Sequence, residues 1–170
     1  LPSGSMDGQL HVSVDDRNLR IRRAGVVLHR VSDFQRTNVF GHQLMNGPSL
    51  FLQFAASLDV PSLVMIGDAM IGRWHGPRLC TLPQLRGHFT SRKSAKNRRR
   101  VEEALALIRP DVDSPKETEL RLWIISAGLP EPEIHPRIFC EQLNTAIRPD
   151  LGYVAARLAI EYESDFHRTD

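Results

Sequence analysis

The chain has 170 residues, of which 41% are hydrophobic and 25% charged, a composition typical of a folded protein with one domain or two small ones. Its formal net charge of +2 is too small to indicate a nucleic-acid-binding protein, so any DNA contact would depend on local clusters. The sequence shows no apolar run of membrane-spanning length, no basic-then-apolar leader and no CxxC spacing of Cys80 and Cys140. We therefore expect a protein of the reducing cytoplasm without a structural zinc or a disulfide framework.

The N-terminal part of the chain predicts two β-strands. Residues Leu1–Ser5, which precede Met6, resemble a cloning scar and are not expected to contribute to the fold. Apolar and polar residues alternate from Gln9 to Val14, and a second β-rich run extends from Gly25 to Arg30. The polar residues between the two runs indicate a turn, so we predict a strand pair.

Four helices are predicted after the turn-forming sequence Asn46-Gly47-Pro48. In each of them, apolar residues recur three or four positions apart, and prolines lie near the predicted ends. The predicted helices span Ser49–Leu58, Pro61–Gly72, Leu82–Phe89 and Ser94–Ile108.

The pattern changes after Pro110, where one further helix is followed by a proline-rich connector and short extended segments. We therefore predict a boundary between an N-terminal strand pair with a helical region, at 6–110, and a C-terminal unit at 111–170. The alternation of strands and helices predicts an α/β protein of the α+β type.

The last predicted helix begins with a capping box. The Ser114 hydroxyl can accept the backbone N–H of Glu117, whose side chain can reach back, and Pro115 occupies the first helical position. Leu120, Ile124 and Ala127 are expected to form a buried stripe on the face that carries Glu117, and Gly128 is expected to supply a left-handed C-terminal cap.

Glu117 allows two interpretations. The side chain is a structural cap, or it is a carboxylate at the edge of a functional site. The two are compatible, because a side chain in the first turn can point towards a neighbouring sheet.

A predicted hairpin near the C-terminus brings further carboxylates together. If the chain turns near Ala155-Ala156, or forms a four-residue loop in which Tyr153 pairs with Leu158, then Asp150 lies directly opposite Glu161. Like charges in such a position destabilise a sheet, and a divalent cation would offset their repulsion. The alternative is a solvated edge at which the carboxylates extend into water. Leu158, Ile160 and Tyr162 fall on the other face, which is expected to be buried.

Several motifs, in order, resemble the very-short-patch-repair (Vsr-like) endonuclease domain of the PD-(D/E)xK superfamily. Ser-Pro-x-Glu-x-x-x-Arg begins at Ser114, and Ala-Gly-Leu-Pro-x-Pro occupies 127–132. An Asp-Leu strand follows at Asp150, and Ala-Ile-Glu-Tyr-x-x-x-x-His extends from Ala159 to His167. The region before them resembles, in general layout, the leader of longer members of the family, which also resemble antitoxins of the abortive-infection type.

This resemblance implies a restriction-endonuclease-like mixed sheet flanked by helices and metal-dependent hydrolysis of DNA phosphodiesters. Glu117, Asp150 and Glu161 would be the ligands of Mg²⁺ or Mn²⁺. His167 would contact phosphate or act as a general acid or base, although a lone histidine at a strand end is more often a surface residue.

The chain departs from the family pattern in two places. Glu163-Ser164 stands where the family has Asp-Gly, which keeps the charge and loses the glycine. Members of the family continue for a few dozen residues beyond the position of Asp170, so we expect a truncated sheet. Such an edge invites pairing with a second copy in a homodimer.

A basic cluster at the start of the predicted Ser94–Ile108 helix is a candidate DNA-backbone contact. Cations at a helix N-terminus oppose the helix dipole, so helix stability does not explain them. The alternative is a solvated helix face. The cluster consists of Arg92, Lys93, Lys96, Arg98, Arg99 and Arg100.

Two functions follow from these patterns. The first is a Mg²⁺-dependent DNA endonuclease that uses Glu117, Asp150 and Glu161. The second is a non-catalytic DNA-binding or antitoxin-like regulator on a nuclease-derived scaffold. Convergence of the three carboxylates on one cation would distinguish them.

Overall fold

The computed structural model describes residues 8–16, 18–74, 76–92, 97–141 and 144–163. Within these ranges the chain folds into five α-helices and four small sheets, which confirms the predicted mixed α+β class. Residues Leu1–Ser5, interpreted as a cloning scar, lie outside the described ranges.

The predicted N-terminal strand pair is present as β1 (Leu10–Val14) and β2 (Val26–Arg30). The two strands are parallel, with Leu10 opposite Val26 and Val14 opposite Arg30. A tight turn cannot join parallel strands, so the intervening segment crosses back to the start of β1. The Ser13 hydroxyl donates to the Gln53 side chain (3.0 Å), which attaches one face of this ribbon to the first helix.

A second hairpin was not predicted. Strands β3 (Arg36–Val39) and β4 (His42–Met45) pair antiparallel around Phe40 and Gly41, which both have positive φ angles. All but one of the strand residues are exposed, so no apolar alternation marks the strands in the sequence. Their turn also lacks the Asn-Gly or Asp-Gly pair that commonly marks such a hairpin.

All four predicted helices of the central region are present, with small shifts at their ends. Asn46 caps the first, Asp59 caps the second, and Thr81 with Gln84 forms a capping box on the third. The predicted start of the fourth, at Ser94, lies outside the described residues. The helices are α1 (Gly47–Phe54), α2 (Val60–Ile71), α3 (Leu82–Ser91) and α4 (Arg98–Leu107).

The hydrophobic core lies among these four helices. Leu63 and Val64 of α2 and Val101 and Ala104 of α4 are fully buried, and Phe51 of α1 packs with them. The core therefore lies within the four helices that the apolar spacing predicted.

The C-terminal part consists of α5 (Pro115–Ser126) and short strands. Strands β6 (Ile138–Cys140) and β7 (Thr145–Ile147) form a separate hairpin. A three-stranded antiparallel sheet contains β5 (Glu133–Ile134), β8 (Leu151–Tyr153) and β9 (Leu158–Ile160), with β8 in the middle.

The predicted register of the last hairpin is confirmed. Tyr153 pairs with Leu158 across a four-residue loop, and Leu151 pairs with Ile160. The prediction of a buried apolar face on β9 is wrong, because Leu158 and Tyr162 are 49% and 41% exposed. Strand β9 is the edge strand of the three-stranded sheet, which leaves these side chains partly open to solvent.

No helix among the described residues is long and apolar enough to cross a membrane.

Gly67 allows α2 to approach the end of α4 closely. A Cβ at this position would lie 2.6 Å from Ile108 Cγ1, inside van der Waals contact. We expect Gly67→Ala to lower the free energy of unfolding by about 1–3 kcal/mol, the usual cost of overpacking a core. Urea denaturation followed by circular dichroism measures the change.

Gly87→Ala in α3 is the matched control. A Cβ there meets nothing within 4 Å, so the helix gains the propensity of alanine and stability rises by about 0.5–1 kcal/mol. A Gly67→Ala protein at least as stable as the wild type would contradict the close packing of α2 against Ile108.

Candidate metal centre

Helix α5 presents Glu117 at its N-terminus. The Ser114 hydroxyl accepts the Glu117 N–H (3.2 Å), as predicted, and Gly128 ends the helix with a φ of +79°. The predicted capping box is only half formed, because the Glu117 carboxylate accepts the backbone N–H of Asp113 (3.0 Å) instead of that of Ser114. Glu117 is buried, so its carboxylate is not a solvent-exposed cap and must be satisfied by groups of the protein.

The buried stripe of α5 differs from the predicted one. Leu120 is only partly buried and Ala127 is exposed, whereas Thr118 and Arg121 are fully buried. Ile124 is buried, as predicted. The prediction was wrong for the other two because it counted only apolar side chains, whereas α5 also packs on α2 through polar ones. Arg121 Nη2 donates to Asp68 Oδ2 of α2 (3.0 Å), and both side chains are inaccessible to solvent.

Asp68 receives two further hydrogen bonds. Thr118 Oγ1 donates to Oδ2 (2.9 Å), and the Arg109 backbone N–H donates to Oδ1 (2.8 Å). Burial raises the pKa of Asp68 to about 6, against the opposing effects of these donors and of the Arg121 guanidinium. The carboxylate therefore depends on all three donors to remain ionised in the core.

Glu131 links this ion pair to the proline-rich connector. Arg121 Nη1 and Arg109 Nη2 both donate to its carboxylate, at 2.8 Å each. The connector leads directly into β5, and the Tyr153 hydroxyl of β8 donates to its Pro130 carbonyl. These contacts attach the small sheet to α5 and α2, across the predicted boundary at residue 111.

The end of the small sheet nearest α5 carries a histidine and an aspartate. Ile134 pairs with Leu151, so the next pair is His135 with Asp150, and the His135 N–H donates to the Asp150 carbonyl (3.0 Å). His135 has a φ of +48°, a left-handed conformation unusual for a residue other than glycine. This conformation turns the chain out of β5 beside Pro136.

Glu117, His135 and Asp150 converge at this end of the sheet. Each offers one ligand atom, and the three atoms lie within 4.8 Å of one another. Glu117 Oε2 is 3.0 Å from His135 Nε2. Two carboxylates and an imidazole at these separations are a set of groups that binds divalent cations in proteins.

The contacts of His135 define its tautomer. Arg148 Nη2 lies 2.8 Å from Nδ1, and an arginine can only donate, so Nδ1 accepts and Nε2 carries the proton that points to Glu117. Asp113 Oδ2 lies 3.6 Å from the same Nδ1 and 3.8 Å from Arg148 Nη1. The ring is therefore held on both sides by charged groups.

The structure brings together two of the three predicted carboxylates. Glu161 follows Ile160 and stands next to Asp150 in the strand register, as predicted, but it is exposed and its carboxylate is not in the group of three ligand atoms. Asp150 Oδ2 instead accepts the N–H of Tyr162 (2.8 Å). His167 lies outside the described residues, so its predicted role remains a prediction.

The described arginines of the predicted basic cluster all contact other groups of the protein. Arg92 lies 3.7 Å from Asp33, and Arg98 and Arg99 form ion pairs with Glu102 and Glu103 one turn along α4 (3.0 and 2.8 Å). Arg100 donates to the carbonyl of Ala55 (3.0 Å). Lys93 and Lys96 lie outside the described residues.

The sequence analysis did not select His135. It lies in the proline-rich connector, directly after β5, a strand of only two residues that is too short to show alternation. The signal that could have found it is the pairing of β5 with β8: had Glu133–Ile134 been paired with Gly152 and Leu151, the register would have placed His135 opposite Asp150.

Comparisons with known proteins returned no match: no protein-family model, curated protein or solved structure matches the chain at the significance required.

The Asp68–Arg121 ion pair should be a large contributor to stability. Arg121→Met leaves the Asp68 carboxylate buried without its cation, so we expect the free energy of unfolding to fall by about 3–5 kcal/mol. Urea denaturation measures the change.

Lys116→Met is the control, because Lys116 forms an exposed ion pair with Glu119 on the same helix (2.6 Å), and water already screens such a pair, so its removal should change the free energy of unfolding far less. Equal losses in the two variants would show that the buried pair does not hold α5 on α2.

Proposed function

We propose that the chain is a metal-dependent DNA endonuclease of the Vsr-like type, with its centre at Glu117, Asp150 and His135. The observation that supports this proposal most is the convergence of these three side chains within 4.8 Å. Glu117 and Asp150 are also two of the three carboxylates that stand in the motifs that resemble the family. Their carboxylates come from a helix and a sheet that are distant in sequence, so their proximity does not follow from the local pattern.

One separation in the group matches a shared divalent cation. Two ligand atoms at a right angle, each about 2.1 Å from one ion, are about 3.0 Å apart. Glu117 Oε2 and His135 Nε2 have this separation, which is also the length of the hydrogen bond between them. Carboxylates suit Mg²⁺ and Mn²⁺, and an imidazole favours the softer Mn²⁺ of the two, so we propose Mn²⁺ as the better activator.

A cation bound here would polarise a phosphodiester and make a water molecule a better nucleophile. The chain's own residues hold the ligands in place. Asp113 would accept the Nδ1 proton of His135 once Nε2 is a ligand, in place of the Arg148 donor. Arg148 is more than half exposed and would then be available for a phosphate oxygen.

Glu161 belongs to the proposal as a group that would join the site with DNA bound, and His167 keeps the role that its motif implies. Glu161 is the neighbour of Asp150 in the register, so a change of side-chain rotamer would bring its carboxylate closer to the other two. The restriction-endonuclease-like sheet is part of the same proposal. The three strands β5, β8 and β9 pair antiparallel, so the mixed sheet that the resemblance implies would need a parallel strand beyond these three.

A second candidate function is a non-catalytic DNA-binding or antitoxin-like regulator. It is supported by the protein groups that already contact the carboxylates: Glu117 contacts the Asp113 N–H and His135, and Asp150 accepts the Tyr162 N–H. In this case the three side chains would hold the sheet against α5 and the site would bind no cation.

Cleavage of supercoiled plasmid distinguishes the two functions. We expect the wild type to nick the plasmid with Mn²⁺ and, more slowly, with Mg²⁺, and not in EDTA. Glu117→Gln and Asp150→Asn each remove a charge at the proposed site while keeping its shape. The nicking rate should fall roughly 100-fold, the scale of a group that stabilises charge in a transition state.

Glu119→Gln, which removes an exposed carboxylate two positions from Glu117, should nick at the wild-type rate. If nicking persists undiminished in Glu117→Gln, the site lies elsewhere. A folded wild type that does not nick any plasmid, single-stranded or duplex DNA with either metal would favour the regulator.

A further inference from the structure

A group of arginines without protein partners lies between β1 and β2. Arg20, Arg22 and Arg23 are exposed, and within the described residues none of them has an ion pair or a side-chain hydrogen bond. The nearby Asp15 carboxylate is paired with Arg36 (3.5 Å), so it does not neutralise them. These arginines differ from those of α4, each of which contacts an acid or a carbonyl.

Two of these arginines share a surface depression with a third. Arg20, Arg22 and Arg30 line an open depression of about 430 Å³ whose other lining residues are Ile21 and Leu28. Arg30 Nη2 donates to the carbonyl of Leu19 (3.2 Å), which holds the segment carrying Arg20 and Arg22 against β2. A guanidinium has five N–H donors, so this bond leaves most of Arg30 available.

The position of the depression follows from the strand pattern. Leu28 and Arg30 are two residues apart on β2 and point to the same face, whereas His29 points to the other. That other face carries Ser13, whose hydroxyl bonds to α1, so it is the face turned to the protein. The arginines therefore occupy the outer face of the ribbon.

Three guanidinium groups around one concave surface repel one another, and none of the residues that line the depression is acidic. A bound anion would remove this repulsion. Planar guanidinium groups match the oxygens of phosphates and carboxylates through pairs of parallel hydrogen bonds, and a chain of phosphates offers such oxygens to several arginines at once. Ile21 and Leu28 also line the depression, and their apolar side chains offer a contact for the sugar next to a bound phosphate.

We propose that Arg20, Arg22 and Arg30 bind the phosphodiester backbone of duplex DNA. The choice of DNA as the source of phosphate rests on the proposed function, whereas the site does not share a residue with the metal centre. Binding there would position the duplex without reading its sequence. The DNA backbone would then contact the β1–β2 ribbon and not the basic cluster of α4. In that cluster, Arg98 and Arg99 would first have to break their ion pairs with Glu102 and Glu103.

The test is the affinity of the full chain for a fluorescent 20-base-pair duplex, measured by anisotropy in EDTA at several salt concentrations (about 20 base pairs cover any single small domain). EDTA prevents cleavage, so a failure of the nuclease proposal does not affect this result. We expect Arg20→Gln with Arg22→Gln to weaken binding about 10-fold or more and to reduce the slope of log K against log salt by about 2.

Arg78→Gln with Arg157→Gln is the matched control, since it removes the same charge from two exposed arginines that do not line the depression. Its affinity should stay within about threefold of the wild type. A competition arm replaces chloride by inorganic phosphate at equal ionic strength, and the duplex should remain bound.

Three outcomes would overturn the proposal. In the first, the wild type does not bind the duplex at low salt, or the ribbon and control variants lose equal affinity. In the second, Arg98→Gln with Arg99→Gln loses more affinity than the ribbon variant, which would place the contact on α4. In the third, inorganic phosphate displaces the duplex completely, which would make the depression a site for free phosphate.

Discussion

The buried ion pair between Asp68 and Arg121 fixes the relation of α5 to the helical core. A buried carboxylate is costly unless it is paired and fully hydrogen-bonded, and Asp68 accepts bonds from Arg121, Thr118 and the Arg109 N–H. Arg121 also reaches Glu131 in the connector, so one guanidinium sets the positions of α2, α5 and the entry to β5. Glu117 lies one turn before Arg121, and its position relative to the sheet follows from this arrangement.

The candidate metal centre combines one rigid element with a very small sheet. Glu117 is held by α5, whereas His135 and Asp150 lie where strands of two or three residues end. A sheet of this size is not stable alone, so its geometry depends on the contacts that join it to α5 and the connector. The position of the proposed cation ligands therefore depends on the ion pair in the core. A substitution that breaks the ion pair should also displace these ligands.

The sequence predicted what depends on local patterns. The caps and apolar spacing gave all five helices, and the hairpin register placed Asp150 beside Glu161. Interactions between segments distant in sequence were missed. The burial of Arg121 depends on Asp68, 53 positions away, and His135 depends on a pairing of β5 with β8. The hairpin of β3 and β4 was missed because its exposed strands have no apolar pattern, and the partners of the α4 arginines could be found only in three dimensions.

The most direct test of the central claim is Mn²⁺ binding, followed by electron paramagnetic resonance of the free ion during a titration. The account predicts that the wild type binds one Mn²⁺ per chain and that Glu117→Gln and His135→Ala both lose this binding, while Glu119→Gln keeps it. A wild type that leaves the Mn²⁺ signal unchanged, or a Glu117→Gln protein that binds Mn²⁺ as the wild type does, would contradict a cation site at Glu117, His135 and Asp150.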